Sequence, residues 1–89
     1  KYILISKIFT VEEAAAFREE TFELVSESVV QFQIDFKNCE FIDSTGLGIF
    51  VGLLKKCNEN GSTIELSNMN EDVFSIFEMT RLTQVFVIK

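Results

Sequence analysis

Apolar and polar residues follow each other along the chain with two periods, one typical of strands and one typical of helices. Within Val29–Phe36, apolar residues alternate with Gln and Asp, which predicts a strand with one covered face. A strand covered on both faces would be apolar throughout. Three further segments are rich in β-branched and aromatic residues and also predict strands. These are Tyr2–Phe9, Thr63–Ser67 and Gln84–Ile88.

Apolar residues recur at helical spacing between the predicted strands. The predicted helices are Val11–Ser26, Ser44–Cys57 and Glu71–Leu82. Thr10 and Glu13 have the spacing of a capping box before the first helix. Gly61, after Asn60, is placed to end the second helix, and Asn70 to cap the third. The segment Lys37–Asp43 is predicted to be a loop.

Within each helix, helical spacing separates buried from solvated positions. In the first helix, Ala14, Phe17, Thr21, Leu24 and Val25 are predicted to be buried. Its other side carries five acids, which we interpret as a solvated face rather than a metal site. They are Glu12, Glu19, Glu20, Glu23 and Glu27. In the third helix, the predicted core positions are Val73, Ile76, Phe77 and Thr80.

The order β-α-β-α-β-α-β predicts the α/β class. We expect a single domain over residues 1–89, with a mostly parallel sheet of four or five strands and helices packed mainly on one face. The strand–helix–strand unit Val29–Ser67 predicts two parallel neighbours. An additional edge strand upstream of Lys1 would fit the same sheet.

The amino-acid composition disfavours several classes of partner and of function. The 89 residues include 14 acidic and 8 basic side chains and carry a formal net charge of −6. Such a balance disfavours nucleic acids and anionic lipid headgroups as partners, because both bind basic surfaces. The chain has no His, the commonest general base and metal ligand. We therefore expect a non-enzymatic domain without a cofactor or metal.

The two cysteines and the longest apolar run indicate in which cellular compartment the protein acts. Cys39 and Cys57 are too few and too far apart for a disulfide scaffold, so we predict buried free thiols in a reducing compartment. The apolar run Gly46–Leu54 is far shorter than the roughly 18–20 residues that span a bilayer. These features predict a cytoplasmic protein without membrane insertion.

The segment Phe41–Gly48 carries the strongest chemical signal, because it leads from a strand into a helix, where open α/β sheets place their sites. Three interpretations are open. Asp43 or Ser44 caps the helix, while Gly46 allows tight packing. Alternatively, the loop cradles a nucleotide phosphate, although no glycine-rich phosphate-binding motif is present. In the third, Ser44 and Thr45 are phosphorylated, which adds about −1.5 to −2 of charge to a docking surface.

The second helix is apolar on two sides. Four of its residues are predicted to cover the sheet, namely Leu47, Phe50, Val51 and Leu54. The opposite side lacks the usual charges and carries Gly48, Ile49, Gly52, Leu53 and Lys56. Either a neighbouring helix covers this side, or it is a contact surface for a partner protein.

The run from Asp35-Phe36 to Phe41–Gly48 resembles the signature of STAS domains, the anti-sigma factor antagonists of bacteria. That signature is a strand ending in D-L/F, a short loop, and F-I/M-D-S-S/T-G-L-G opening an apolar helix. Ile76–Leu82 and the closing Phe86–Ile88 also fit the family. The resemblance covers Tyr2 to Ile88 and implies a single STAS domain.

The resemblance implies a protein–protein switch. In this family, the unphosphorylated domain binds an anti-sigma factor, which is itself a serine/threonine kinase of the histidine-kinase-like ATPase fold. This binding frees the sigma factor for transcription. Phosphorylation of the antagonist breaks the complex, and a PPM-type phosphatase restores it.

The family motif also implies residue roles. The phosphoacceptor maps onto Thr45, with Ser44 as a cap and second choice, and Asp43 as the orienting acid. The predicted partner-binding residues are Asp43, Ser44, Gly46, Gly48, Ile49, Gly52 and Lys56.

Three positions in two segments depart from the family pattern. Lys7–Thr10 stands where many antagonists have a G-x-L-D turn, so both the Gly and the Asp are replaced. Thr45 stands where the best-known antagonists have Ser. One alternative function is an accessory STAS subunit, without this phosphorylation, in a stressosome, a transporter or a lipid-transport complex. A small nucleotide-binding domain is an alternative from a different class.

Overall fold

Six strands and three helices alternate along the chain in this computed structural model, which describes residues 1–89. The strands are β1 (Tyr2–Leu4), β2 (Ile8–Phe9), β3 (Gln31–Asp35), β4 (Phe41–Ile42), β5 (Thr63–Ser67) and β6 (Val87–Ile88). The helices are α1 (Val11–Glu27), α2 (Ser44–Asn60) and α3 (Glu71–Met79), and a short 3-10 turn spans Leu82–Gln84. The predicted α/β class and the predicted order of the helices are confirmed.

The main sheet has four strands in the order β1-β3-β5-β6, and every neighbouring pair is parallel. Its inner face is a row of aliphatic residues, in which Ile34 pairs with Ile3 on one side and Leu66 on the other. The predicted mostly parallel sheet is therefore confirmed. The unit formed by β3, α2 and β5 joins parallel neighbours, as its pattern predicted.

The predicted single strand Tyr2–Phe9 is wrong, because the chain leaves the main sheet after Ile5. The Ile5 amide still donates to the Asp35 carbonyl, but β2 pairs with β4 in a separate two-stranded parallel sheet. The Lys7 carbonyl accepts from the amides that lead into β4, and the segment predicted as a loop thus contains a strand. These two short strands are what hold the starts of α1 and α2 side by side.

A chain of phenylalanines fills the space between the main sheet and the helices. Phe50 of α2 lies at its centre, with ring centroids 5.3 Å from Phe9, 5.0 Å from Phe17 and 5.4 Å from Phe36. Phe77 of α3 continues the cluster at 5.9 Å from Phe36. Tilted and edge-on contacts of this kind stabilise aromatic pairs beyond the burial of their area.

The buried stripe of α1 follows its prediction closely. Ala14, Phe17, Thr21 and Val25 are buried, while Leu24 is half-buried. The buried Thr21 hydroxyl donates to the Phe17 carbonyl at 2.7 Å, so its polar atom has a partner within the helix.

The predicted sheet-facing side of α2 is partly wrong. Val51, predicted inward, is 43% exposed, whereas Leu53, predicted on the opposite side, is fully buried. The buried stripe runs through Gly46, Phe50, Leu53 and Cys57, while Leu47 and Leu54 are half-buried. This rotation arises because α2 packs against α1 as well as against the sheet, so its core side lies between the two.

The third helix is shorter than predicted. It ends at Met79, because the Thr80 hydroxyl bonds the Ile76 carbonyl at 2.8 Å and Arg81 has a left-handed φ of 63°. Thr80, predicted as a core residue, is exposed. The last strand comprises only Val87–Ile88, because the 3-10 turn occupies the start of the predicted strand.

Asp35 is a buried carboxylate on the otherwise polar side of β3. It accepts hydrogen bonds from the Tyr2 hydroxyl at 2.5 Å, the Lys37 amide at 2.9 Å and the Asn68 side-chain amide at 3.1 Å. Chiefly through the Tyr2 bond, these donors hold the pKa of Asp35 below its ordinary value. The same bond raises the pKa of Tyr2. Asp35 thereby ties together β1, β3 and the residue that follows β5.

Both cysteines are buried and unpaired, as predicted. Burial raises the pKa of the Cys39 and Cys57 thiols, which keeps both in the unreactive protonated form at neutral pH. Not one of the three helices combines the length and the apolar character needed to cross a lipid bilayer.

Candidate docking and phosphorylation site

All three helices begin at the edge of the molecule where the parallel strands end. Thr10, Asp43 and Asn70 occupy the N-cap positions of α1, α2 and α3. Asn70 caps α3 as predicted, since its side-chain oxygen accepts from the Val73 amide at 2.8 Å. Its side-chain nitrogen donates to the Cys39 carbonyl at 3.2 Å, which ties the start of α3 to the segment leading into β4.

Asp43 is the side chain that caps α2. Its Oδ1 accepts a hydrogen bond from the Gly46 amide at 2.9 Å, while its backbone is extended. Ser44 is the first helical residue, so its predicted role as a cap is wrong. Because the Asp43 carboxylate already occupies an amide of the first turn, it fixes the backbone on which Ser44 and Thr45 are presented.

Gly46 is buried and belongs to the packing of the site, not to its surface. A Cβ atom there would lie 2.8 Å from Phe9 Cδ2, 2.9 Å from Ile42 Cγ1 and 3.0 Å from the Phe9 carbonyl oxygen. Only glycine fits this contact between α2 and the two-stranded sheet. Its predicted direct contact with a partner is therefore unfavourable, and the tight-packing role is the one that the geometry supports.

Ser44 and Thr45 are exposed at the first and second positions of α2. Neither hydroxyl takes part in an intramolecular hydrogen bond, so both are free to meet another molecule. Gly48, one turn further, is exposed as well, and a Cβ there would have no atom within 4 Å. Ile49 is half-buried and packs against the core. The fully accessible residues of the predicted surface are thus Ser44, Gly48 and Lys56, together with the acceptor Thr45.

Of the remaining predicted surface residues, Gly52 is half-buried against α1, whereas Lys56 is exposed. A Cβ at Gly52 would lie 3.1 Å from the Cζ atom of Phe22 on α1. The Lys56 ammonium lies 5.3 Å from the centre of the Phe22 ring, and the Arg18 guanidinium carbon lies 4.6 Å from it. For Gly52, the alternative of a neighbouring helix therefore describes the packing, while Lys56 contacts the Phe22 ring and stays exposed.

The charge around the three helix starts is uneven. Glu12 and Glu13 lie in the first turn of α1, and Glu71 and Asp72 lie in the first turn of α3. The first turn of α2 contains no acid. A helix N-terminus favours negative charge, and in α2 that charge comes from the Asp43 cap alone, so the first turn itself has room for an added anion.

Sequence reasoning missed two exposed residues beside this site. Ile8 and Phe41 are direct partners in the two-stranded sheet, and each is about half exposed, at 51% and 50%. Strands of two residues are too short to show a periodic pattern, so the pairing was hidden. The one available signal was that Phe41 and Ile42 are adjacent apolar residues directly before the Asp43 cap.

Comparison with known proteins identifies the family. A family model described as the STAS domain matches residues 3–89. The anti-sigma-B factor antagonist of Bacillus subtilis (strain 168) is 33% identical over 78 residues, which cover 88% of this chain and 71% of the relative. The anti-sigma-B factor antagonist of Listeria monocytogenes is 37% identical over 65 residues, which cover 73% of this chain and 56% of that relative.

Solved structures share the fold. A crystal structure from Thermotoga maritima, whose description proposes an anti-sigma factor antagonist, has a TM-score of 0.86 at 23% identity and covers 98% of this chain and 77% of that one. The Bacillus cell fate determinant SpoIIAA in its phosphorylated form has a TM-score of 0.79 at 16% identity, with 99% and 80% of the two chains covered. Together, the match along nearly the whole sequence and the shared architecture show that this chain belongs to the STAS domain family.

Proposed function

We propose that this chain is an anti-sigma factor antagonist controlled by phosphorylation of Thr45. Its curated relatives in Bacillus and Listeria carry that functional name at 33% and 37% identity. The observation that carries the proposal is the free, exposed Thr45 hydroxyl in the first turn of α2. In its unphosphorylated form the chain binds an anti-sigma factor, which is a serine/threonine kinase of the histidine-kinase-like ATPase fold, and so releases the sigma factor.

In the phosphorylation step, Thr45 Oγ1 attacks the γ-phosphorus of ATP held by the kinase. A new oxygen–phosphorus bond forms, the bond from the γ-phosphorus to the bridging oxygen breaks, and ADP leaves. The hydroxyl proton passes to a base of the kinase, since this chain has no His to accept it. The chain is thus a substrate and a binding module, not an enzyme.

The phosphate acts on the docking surface more than on the fold. It adds about −1.5 to −2 of charge at an N-terminal helical position, where negative charge favours the helix. The same charge and bulk lie in the middle of the surface that the kinase must contact, so binding is lost through repulsion and desolvation. A PPM-type phosphatase then removes the phosphate and restores binding. This cycle takes place in the cytoplasm, where sigma factors act.

The decisive experiment is a pull-down from lysate of the native host with wild type and Thr45→Glu side by side, followed by mass spectrometry. We expect the wild type to capture an ATPase-fold kinase and the variant to lose it. The purified kinase, given radiolabelled ATP, should label wild type and Ser44→Ala but not Thr45→Val. Labelling that disappears in Ser44→Ala and persists in Thr45→Val would reassign the acceptor to Ser44.

One observation favours a second candidate function. Many antagonists carry an acid at the end of the turn that Lys7–Thr10 replaces, and here the Thr10 hydroxyl donates to Glu13 at 3.3 Å. A chain without that acid suits a constitutive accessory STAS subunit of a larger complex. Identical partners in the wild-type and Thr45→Glu lanes, without a kinase among them, would select this alternative.

A further inference from the structure

The two-stranded sheet has one buried face and one exposed face. Phe9 and Ile42 are each 2% exposed and point into the core, whereas their neighbours Ile8 and Phe41 are about half exposed. Successive side chains of a strand point to opposite faces, so Ile8 and Phe41 project together into solvent. The two side chains form one continuous apolar patch, which we call the Ile8–Phe41 patch.

This patch differs from the exposed face of the main sheet. Each cross-strand pair on that helix-free face contains at least one polar residue. Those pairs are Tyr2–Gln33, Leu4–Asp35, Gln31–Thr63, Gln33–Glu65, Asp35–Ser67 and Glu65–Val87. Ile8–Phe41 is the one exposed pair that is apolar on both strands. Single exposed apolar residues are ordinary, but a paired apolar patch is typical of a contact surface.

The patch adjoins the phosphorylation site. Phe41 and Ile42 lead directly into Asp43, so the patch is one short segment of chain away from Thr45. On the other strand, Ile8 and Phe9 lead into the start of α1. A partner that covers Thr45 at the first turn of α2 therefore meets the Ile8–Phe41 patch at the same edge of the molecule.

Acidic residues flank the two strands of the patch along the chain. Glu12 and Glu13 follow β2, while Glu40 precedes β4 and Asp43 follows it. Two basic residues lie nearby, namely Lys7, which is 3.9 Å from the Glu40 carboxylate, and Lys37, which lines the same cleft, so acids outnumber bases here. A complementary partner surface is therefore basic around an apolar centre.

From these observations we propose that the Ile8–Phe41 patch is the apolar anchor through which the unphosphorylated chain docks on its kinase, and that the kinase presents an apolar side chain ringed by Lys or Arg. This inference rests on the proposed function. Docking and phosphorylation then use separate residues of one surface, since Ile8 and Phe41 supply affinity and Thr45 supplies control.

The test measures binding of the purified kinase that the wild type captures in the pull-down. Ile8→Thr and Phe41→Ser should each weaken binding by about tenfold or more, as truncation of a central apolar contact does. Val29→Thr and Met79→Ser are matched controls, because both residues are exposed and lie at the opposite end of the fold. They should bind within about twofold of wild type. Thermal melts establish that all four variants are folded.

The outcomes separate the two proposals. If Thr45→Glu loses the kinase while Ile8→Thr and Phe41→Ser bind as wild type does, the anchor is overturned and the proposed function stands. If wild type captures no kinase, both the proposed function and the proposed anchor are overturned. If wild type sediments as a dimer and Phe41→Ser as a monomer, the patch serves self-association, which also overturns the anchor.

Salt dependence tests the chemistry of the partner. Attraction between the acidic surround and a basic kinase surface predicts that affinity falls as salt rises, because exposed charges are screened. The loss should be smaller in the double variant Glu12→Gln, Glu40→Gln. An affinity that stays constant or rises with salt would contradict a basic partner surface.

Discussion

The starts of α1 and α2 are built on the same plan and differ in where they carry charge. Each helix follows a two-residue strand of the same small sheet, with an exposed apolar residue, a buried apolar residue and then the N-cap. At the start of α1, the Thr10 side chain makes no capping bond to the backbone, and Glu12 and Glu13 stand in the first turn. At the start of α2, Asp43 caps the backbone and the first turn is uncharged.

The two helix starts differ in the kind of negative charge that their first turns can carry, which is permanent in α1 and would be removable in α2. The second helical position is Glu12 in α1 and Thr45 in α2, so a phosphate on Thr45 would bring to α2 the kind of charge that α1 always has. The Asp43 cap keeps α2 formed without that charge. The fold of α2 therefore does not depend on a phosphate at Thr45.

The largest effect is expected at the third helical position, which is Gly46 in α2 and the exposed Glu13 in α1. Gly46→Ala should lower the free energy of unfolding by about 1–3 kcal/mol, because its Cβ would overlap Phe9 and Ile42. Gly48→Ala is the matched control and should raise it by up to about 1 kcal/mol, since that site is open. Chemical denaturation measures both, and equal effects would remove Gly46 from the packing argument.

The two caps give the next largest difference. Asp43→Ala should cost about 1 kcal/mol, because it leaves the Gly46 amide without its partner. Thr10→Ala should cost less than about 0.5 kcal/mol, since the Thr10 hydroxyl bonds only the Glu13 carboxylate. Urea denaturation of the two variants ranks them, and a larger loss for Thr10→Ala would reverse the comparison.

A smaller effect is expected when charge at the second helical position is exchanged. Thr45→Glu should stabilise the fold by roughly 0.3–1 kcal/mol, and Glu12→Thr should destabilise it by a similar amount. Both changes should shrink in high salt. Thermal melts provide the measurement. A fall of about ten degrees or more in Thr45→Glu, well beyond the roughly 4–8 °C that 1 kcal/mol shifts a small domain, would show that charge at Thr45 disturbs the fold itself.

The smallest effect is expected for Asp35→Asn, which removes a carboxylate that lies outside both helix starts. The measured quantity is the titration of its hydrogen-bond partner Tyr2. Tyr2 is the single tyrosine and the chain has no Trp, so ultraviolet absorbance reports its ionisation alone. Because its bond to Asp35 raises the pKa of Tyr2, titration should occur above the ordinary value of 10.0, and Asp35→Asn should move it down toward that value. An unchanged titration in Asp35→Asn would mean that the bond is absent in solution.

The same bond makes stability depend on pH in two directions. The lowered pKa of Asp35 means that its contribution is present above the ordinary Asp range and is lost as the pH falls through the lowered value. The raised pKa of Tyr2 means that its contribution is present below 10.0 and is lost as the pH rises through the raised value. Asp35→Asn should weaken the dependence of the free energy of unfolding on pH at both the acidic and the alkaline end. It should leave binding of the kinase unchanged.

Sequence patterns predicted the fold well where an element was long. The alternation in Val29–Phe36 and the helical stripe of α1 each span several periods, so the strand β3 and the buried positions of α1 followed from them. The Asn70 cap and the left-handed Gly61 at the end of α2 were also predictable, because their local chemistry is specific. Side-chain type and spacing suffice for such elements.

The predictions were wrong where the structure of one segment depends on contacts with segments distant in the sequence. The orientation of α2 depends on packing against Phe22 of α1 as well as the sheet, which no local period contains. The small sheet that pairs Ile8 with Phe41 joins distant segments through four residues, so neither segment predicts it alone. The exposed hydroxyls were predictable from the family motif, whereas the apolar patch beside them required the tertiary structure.

Every strand pair in this fold is parallel and joins segments more than twenty positions apart along the chain. No pair can therefore form as a local hairpin, and each pairing closes a long loop that contains at least one helix. The order of events during folding is consequently set by helix formation and loop closure, which makes folding slower than that of a helical bundle of this size. The small sheet joins the first and middle thirds of the chain, so the surface proposed for docking exists only in the tertiary fold and not in either segment alone.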